Sequence, residues 1–392
     1  MLTPQQAEDI IAHCAPTLTK ELVKLEHALG RMTDEDLIAD TDLPPFDRVM
    51  MDGIALRFSA LESGIREFRI EGLQRAGQAP IELKHDAGCI EIMTGAICSL
   101  GCDTIIPYEH LDIANGIAFV HLLPDKACKN IHTKGTDKRK GDVLVPAHSS
   151  IGVPEIGIAA SIGKQHIAVK SLPKTLICST GDELVAIHET PLAHQIRRSN
   201  VYALQALLQH AGIAADTLHL PDDESNLKQT LNSKLMEYDI LLFSGGVSKG
   251  KFDLLPQVLH ELGVEMLFHG IFQRPGKPMW FGKSSTAVVF ALPGNPVSTL
   301  ACAARYVMPW LKKQLGKEQE PLRVPIETAV TPHDKLHLFV PVEIRILGGR
   351  VVARRIHNQG SGDFSALQGA SGFIEIAPGT VLADSYAYYP LH

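Results

Sequence analysis

"DILLFSGGVSKGKFD" occupies residues 239–253. An apolar run, Ile240 to Phe243, stops at Ser244-Gly245-Gly246 and opens into Ser248, Lys249, Lys251 and Asp253. A short, unbroken apolar run bounded by a glycine turn reads as a buried strand. Glycines lack side chains, so backbone N–H groups can approach phosphate oxygens there. The lysines can neutralise phosphate charge. A carboxylate beside a phosphate calls for a bridging cation, and Mg²⁺ prefers one or two carboxylates with phosphate oxygens and water. The stretch predicts a phosphate–magnesium ligand at a strand end, with Asp253 on the metal side.

The surrounding sequence repeats the pattern. "TLICST" (175–180), "ADTLHLP" (215–221), "VEMLFHG" (264–270) and "AVVFALPG" (287–294) read as further strands. Helices are expected between them. Leu255, Val258, Leu259 and Leu262 form one helical face, and Asn295-Pro296 pairs a cap with a first-turn proline. Such alternation implies an open, mostly parallel sheet with helices on both faces, which binds ligands at the carboxyl ends of its strands. "STGDELV" (179–185), "PDDES" (221–225), "RPGKP" (274–278) and "LPGNPVS" (292–298) should share that edge with the opening stretch.

These turns gather Asp182, Glu183, Asp222, Asp223 and Asp253 beside Lys249, Lys251, Arg274 and Lys277. Thr180, Gly181, Ser244, Ser248 and Asn295 are further candidate contacts in the same turns. Glu183 and Asp253 are the candidate Mg²⁺ ligands. Each residue also has a plainer role. Asp182 or Asp253 could cap the next helix, Asp222-Asp223 could be a loop and helix start, and the lysines could be solvated.

Outside this α/β region the pattern changes. "LTKELVKLEHALGRMTDEDL" has helical spacing, so residues 1–40 are expected to be helical; Thr3, Pro4 and Gln6 supply a capping box. Residues 46–145 read as β-rich, with Asn115-Gly116 as a hairpin turn. Residues 146–172 should pack back on the N-terminal helices. Near the C-terminus, Gly348-Gly349 separates two strands. The expected division is 1–45 with 146–172, then 46–145, 173–320 and 321–392.

Bulk properties narrow the function. A net charge of −7 over 392 residues argues against general nucleic-acid binding. The best apolar run, around residues 150–163, is broken by Pro154 and Glu155, so no membrane span is expected. The N-terminus does not read as a secretory signal. The seven cysteines form no CxxC pair and suit a reducing compartment. A cytoplasmic protein is expected.

Taken in order, "PPFDRVMMDGIA" (44–55), "IMTGA" (92–96), "GTDKRKGDVL" (135–144), "STGDEL", "SGGVSKGKFD", "RPGKP", "LPGNPVS" and "NQGSGDFSAL" (358–367) resemble the MoeA family of molybdopterin molybdenumtransferases, which includes the C-terminal domain of gephyrin. The resemblance covers nearly the whole chain. It implies that adenylylated molybdopterin and molybdate react to give molybdenum cofactor and AMP. It also implies four domains: a linker domain, a β-rich domain, an α/β molybdopterin-binding domain and a C-terminal β-barrel-like domain. An elongated homodimer with a site shared between subunits follows from the same likeness. By position, Asp52, Thr94, Asp137, Glu183, Asp222, Asp253, Lys277, Pro293, Pro296 and Ser361 correspond to functional residues of such proteins. The adenylyltransferase and the molybdoenzymes that accept the cofactor are further candidate partners. Val49, Met50, Ile54 and His132 differ from the usual family residues. Adenylyl transfer to molybdopterin and a non-catalytic cofactor-binding role are the alternative functions.

Overall fold

The computed structural model describes residues 1–247, 254–379 and 383–391. Six strands form the sheet that carries the turns described above. Their order is Ala215–Leu220, Thr175–Thr180, Ile240–Ser244, Val288–Leu292, Trp280–Lys283 and Glu265–His269. The first four are mutually parallel. Trp280–Lys283 runs antiparallel to both its neighbours, so Glu265–His269 points the same way as the first four. The five expected strands therefore end at one edge. Trp280–Lys283 was not anticipated; it returns from the Pro-rich 274–278 turn and leads back through Ser284 and Ser285.

The apolar runs are continuous because both faces of the sheet are covered. Ile240 and Leu242 face the helix Asn200–His210 and the helical run from Pro296 to Gln314. Leu241 and Phe243 face the helices Glu224–Glu237 and Leu255–Glu261. The period-two alternation thus feeds two cores.

The N-terminal helix, Pro4–Ala12, has the expected capping box, with Thr3 accepting from the Gln6 amide. The helical expectation for the rest of residues 1–40 is incorrect. Pro16 disfavours helix at the residue before it, and Lys20–Lys24 is a strand antiparallel to His166–Lys170. Only a short 3₁₀ turn, Leu25–His27, follows. Pairing with the buried Ile167–Val169 stretch overrides local helical spacing. Residues 146–172 pack on the strand and turn that stand in place of the expected helices, where Ala28 and Leu37 share a core with Ile151, Ala159 and Ile167.

Between these pieces lies another six-stranded sheet, from Thr104–Pro107 at one edge to Leu111–Ala114 at the other. Asn115 and Gly116 close its hairpin with φ of 53° and 76°, as a two-residue I′ turn requires. In the C-terminal region His337–Leu347 pairs with Arg350–Arg355 across Gly348-Gly349 and with Gly372–Ile376 on its other side. Gln273–Arg274 joins the edge of this sheet by pairing with His337 and Leu338. The 274–278 turn is therefore stitched to both the α/β and the C-terminal sheets.

Candidate functional site

At the carboxyl edge of the α/β sheet, three turns pack on one another. Gly245 and Gly246 have φ of 103° and 73°, a region L side chains rarely occupy. A Cβ on Gly246 would lie 2.9 Å from Thr180 Oγ1, and one on Gly294 3.5 Å from the Gly245 Cα. The Gly245 amide donates to the Leu292 carbonyl at 3.0 Å. Thr180, Ser244, Gly245, Pro293 and Asn295 thus meet in one small region.

Asn200 ties the region together. Its side-chain amide donates to Ser244 Oγ at 2.8 Å, to the Gly294 carbonyl at 2.7 Å and to Thr299 Oγ1 at 3.2 Å. Sequence reading missed it; an asparagine at a helix start signals at most a cap. Ser361, far along the chain, is brought to the same place. Its hydroxyl accepts from Asn295 Nδ2 at 2.9 Å, and its carbonyl accepts from the Val297 amide at 3.1 Å, at the start of the helix that begins with Pro296.

The acidic residues have distinct positions. Glu183 folds back over Gly181, so a Cβ on Gly181 would fall 2.4 Å from Glu183 Oε2. The Asp182 carboxylate accepts from the Asp222 amide at 3.1 Å. Asp182 caps no helix, because Leu184–Val185 continues as a strand and the next helix starts at Asn200. Asp223 is the helix cap, accepting from the Asn226 amide at 2.7 Å. Ser179 Oγ lies 3.0 Å from His219 Nδ1. Burial pushes the His219 imidazole below its ordinary range, and the Arg198 charge adds to the effect. Both are strand-end residues the sequence reading did not select.

Arg274 and Lys277 are exposed on a rigid turn. Gly276, at φ 93°, leaves no room for a Cβ, which would sit 2.4 Å from Cys302 Sγ. The buried Gln273 donates to the Pro275 carbonyl at 3.0 Å and accepts from Tyr306. Ser248, Lys249, Lys251 and Asp253 lie outside the described residues.

A second group sits on other strands. Thr94 donates its amide and hydroxyl to Asp52 Oδ1 at 2.6 and 2.7 Å. Gly53, next in sequence, is pressed against the Ile106 carbonyl, 2.0 Å from where a Cβ would stand. His132 Nε2 lies 2.8 Å from Asp137 Oδ1. Arg48–Val49 pairs with Ile131–His132, and Arg48 also bridges to Ile97. The Asp52–Thr94 and His132–Asp137 pairs are therefore carried by adjoining pieces of chain, separate from the α/β sheet.

Residues 2–163 match the MoeA N-terminal region (domain I and II), 176–313 a probable molybdopterin binding domain, and 323–384 the MoeA C-terminal region (domain IV). A molybdopterin molybdenumtransferase of Synechocystis sp. is 38% identical over 96% of this chain and 95% of its own. One from Haemophilus influenzae is 32% identical, covering 81% of this chain and 79% of its own. The crystal structure of a molybdopterin biosynthesis MoeA protein from Pyrococcus horikosii superposes with a TM-score of 0.83 at 27% identity, over 100% of this chain and 99% of that one. Matched region by region, and at this identity along nearly its full length, the chain belongs to the MoeA family.

Proposed function

We infer that this chain is a molybdopterin molybdenumtransferase, inserting molybdenum into molybdopterin during cofactor biosynthesis. The observation that carries the reading is the match of all three family regions in order, with similarity to a named transferase over 96% of the chain. The N- and C-terminal regions favour insertion over adenylyl transfer, which the α/β fold alone would suit.

The immediate substrates in this proposal are adenylylated molybdopterin and molybdate, and the products are molybdenum cofactor and AMP. The backbone N–H of Gly246 binds a phosphate oxygen, with Thr180, Gly181, Asp182, Ser244, Gly245, Pro293, Asn295, Pro296 and Ser361 around it. Arg274, Lys277, Lys249 and Lys251 neutralise the anionic charge, and Ser248 is a further contact. The tight packing of Gly245 on Thr180 and Gly294 supports this. Asp52, Thr94 and Asp137 act from a second subunit of a homodimer, a reading supported by their location away from the α/β sheet. Asp222 acts beside Asp182 and Glu183.

Mg²⁺ is the proposed cofactor. Among the described residues no three His, Cys, Asp or Glu side chains form a metal cage. Mg²⁺ takes one or two carboxylates and fills its other positions with phosphate and water. The exposed Glu183 would be one ligand and Asp253 the other. Bound there, the ion would neutralise phosphate charge.

The proposed layout is a linker domain of residues 1–45 and 146–172, a β-rich domain of 46–145, an α/β domain of 173–320 and a barrel-like domain of 321–392. Seven unpaired cysteines support a cytoplasmic location. Among the described residues no helix is long and apolar enough to cross a membrane. The adenylyltransferase and acceptor molybdoenzymes are proposed partners. Incubation of the purified protein with adenylylated molybdopterin and Mg²⁺ tests the reading. AMP release that depends on the protein and on molybdate is expected; its absence would refute the proposal.

A further inference from the structure

Arg48 and His132 face each other as direct partners on antiparallel strands, so their side chains emerge on the same side. Arg48 Nη2 lies 3.0 Å from His132 Nδ1, and His132 Nε2 lies 2.8 Å from Asp137 Oδ1. A guanidinium only donates hydrogen bonds. Nδ1 must therefore accept, and the ring proton must sit on Nε2, where it is donated to the carboxylate. We propose that Arg48 and His132 are positioning residues, a hydrogen-bond chain that fixes the direction of the Asp137 carboxylate for molybdenum insertion. This rests on Asp137 belonging to the site.

The backbone supports the chain of bonds. The turn before Asp137 is held by the Lys134 amide on Asp47 Oδ1 at 2.8 Å and by the Gly135 amide on the Pro44 carbonyl at 3.0 Å. The Asp137 amide donates to the Leu43 carbonyl at 2.9 Å. With its main chain fixed, the carboxylate's remaining freedom is side-chain rotation, which His132 restrains. Among the described residues Arg48 forms no ion pair with Asp137. Its influence passes through the imidazole, and the neutral ring is the form that lets it pass.

Two measurements on the full-length protein test this. Nitrogen-15 NMR of histidine-labelled protein, with His132 assigned by its loss in His132→Gln, should show Nε2 protonated and Nδ1 bare. In Arg48→Met that preference should collapse toward a mixture. In turnover, His132→Leu and Arg48→Met should each lower kcat/KM by about 10- to 100-fold, a charge-assisted bond's worth. The double variant should be no worse than either alone, because both break one chain. His132→Gln, which keeps a donor and an acceptor, should recover most of the loss. Additive losses, an unaffected Arg48→Met, or a protonated Nδ1 in the wild type would overturn the proposal. Wild-type protein that inserts no molybdenum yet keeps the Nε2–H tautomer would instead refute the functional reading, and with it a role for the chain in catalysis.

Discussion

Thr94 gives both its amide and its hydroxyl hydrogen to a single oxygen of Asp52, at 2.6 and 2.7 Å. The hydroxyl bond first, then the amide bond, holds the Asp52 carboxyl below the usual carboxylate range. A depressed carboxyl favours the folded state above its unfolded pKa, and that contribution fades as pH falls through the folded value. Thr94→Val keeps the shape and removes the hydroxyl. Asp52 should then titrate at higher pH, which carboxyl carbon-13 NMR reads directly. An unchanged titration would show that the hydroxyl contributes nothing.

Gly181→Ala should weaken the proposed Mg²⁺ site and leave the fold standing. The new methyl would meet the Glu183 carboxylate and occupy φ 128°. Backbone strain of this kind costs about 1–3 kcal/mol, which a domain of ordinary stability tolerates. The displaced carboxylate should raise the Mg²⁺ concentration needed for half-maximal activity by roughly tenfold, about 1.4 kcal/mol. Wild-type Mg²⁺ dependence in a folded Gly181→Ala protein would remove Glu183 from the metal site.

Lys277→Met retains most of the apolar stem and deletes the charge. Losing one charge-assisted contact costs roughly 1.5–3 kcal/mol, about one to two decades in affinity. Binding of adenylylated molybdopterin should weaken by that order and become less salt-dependent. Equal binding by both proteins across a salt titration would make Lys277 an ordinary surface lysine.

Away from the site, Arg305 joins three regions of the chain. Its side chain is only 4% exposed and pairs with Glu8 at 2.9 Å and Glu375 at 3.0 Å. Burial pushes the Glu375 carboxyl up, but the His337 hydrogen bond and the Arg305 charge outweigh it, leaving the group below its ordinary range. The resulting stability is present above the unfolded carboxylate pKa and is lost as pH falls through the lower folded value. Arg305→Met takes one partner from Glu375, leaving it His337 and Tyr389, and should cost about 1.5–3 kcal/mol by denaturant unfolding at neutral pH. The deficit should shrink in acid, where Glu375 is neutral. A deficit that does not change with pH would assign the loss to packing.

The α/β sheet was legible because its signals are local. Each strand is a short apolar run that ends in a glycine or proline turn, and "AVVFALPGNP" even places the following helix. Lys20–Lys24 was not legible, since its strand character comes from a distant partner, His166–Lys170. Trp280–Lys283 hid behind the turn residues before it. At the candidate site, the glycine turns after Thr180, Ser244 and Pro293 were readable from type and spacing. Asn200 was not, because its value lies in three acceptors that only the folded chain gathers. The Arg48–His132–Asp137 alignment is likewise invisible until strand pairing sets Arg48 opposite His132.

The most direct test of molybdenum insertion is the metal itself. The purified protein is incubated with adenylylated molybdopterin, molybdate and Mg²⁺, then a molybdenum-free acceptor enzyme is added, and its bound molybdenum and activity are measured. Molybdenum should enter the acceptor together with pterin, matched by AMP released, and Asp253→Asn should reduce both. Acceptor that stays free of molybdenum while wild-type protein, substrate and molybdate are all present would contradict the assigned function.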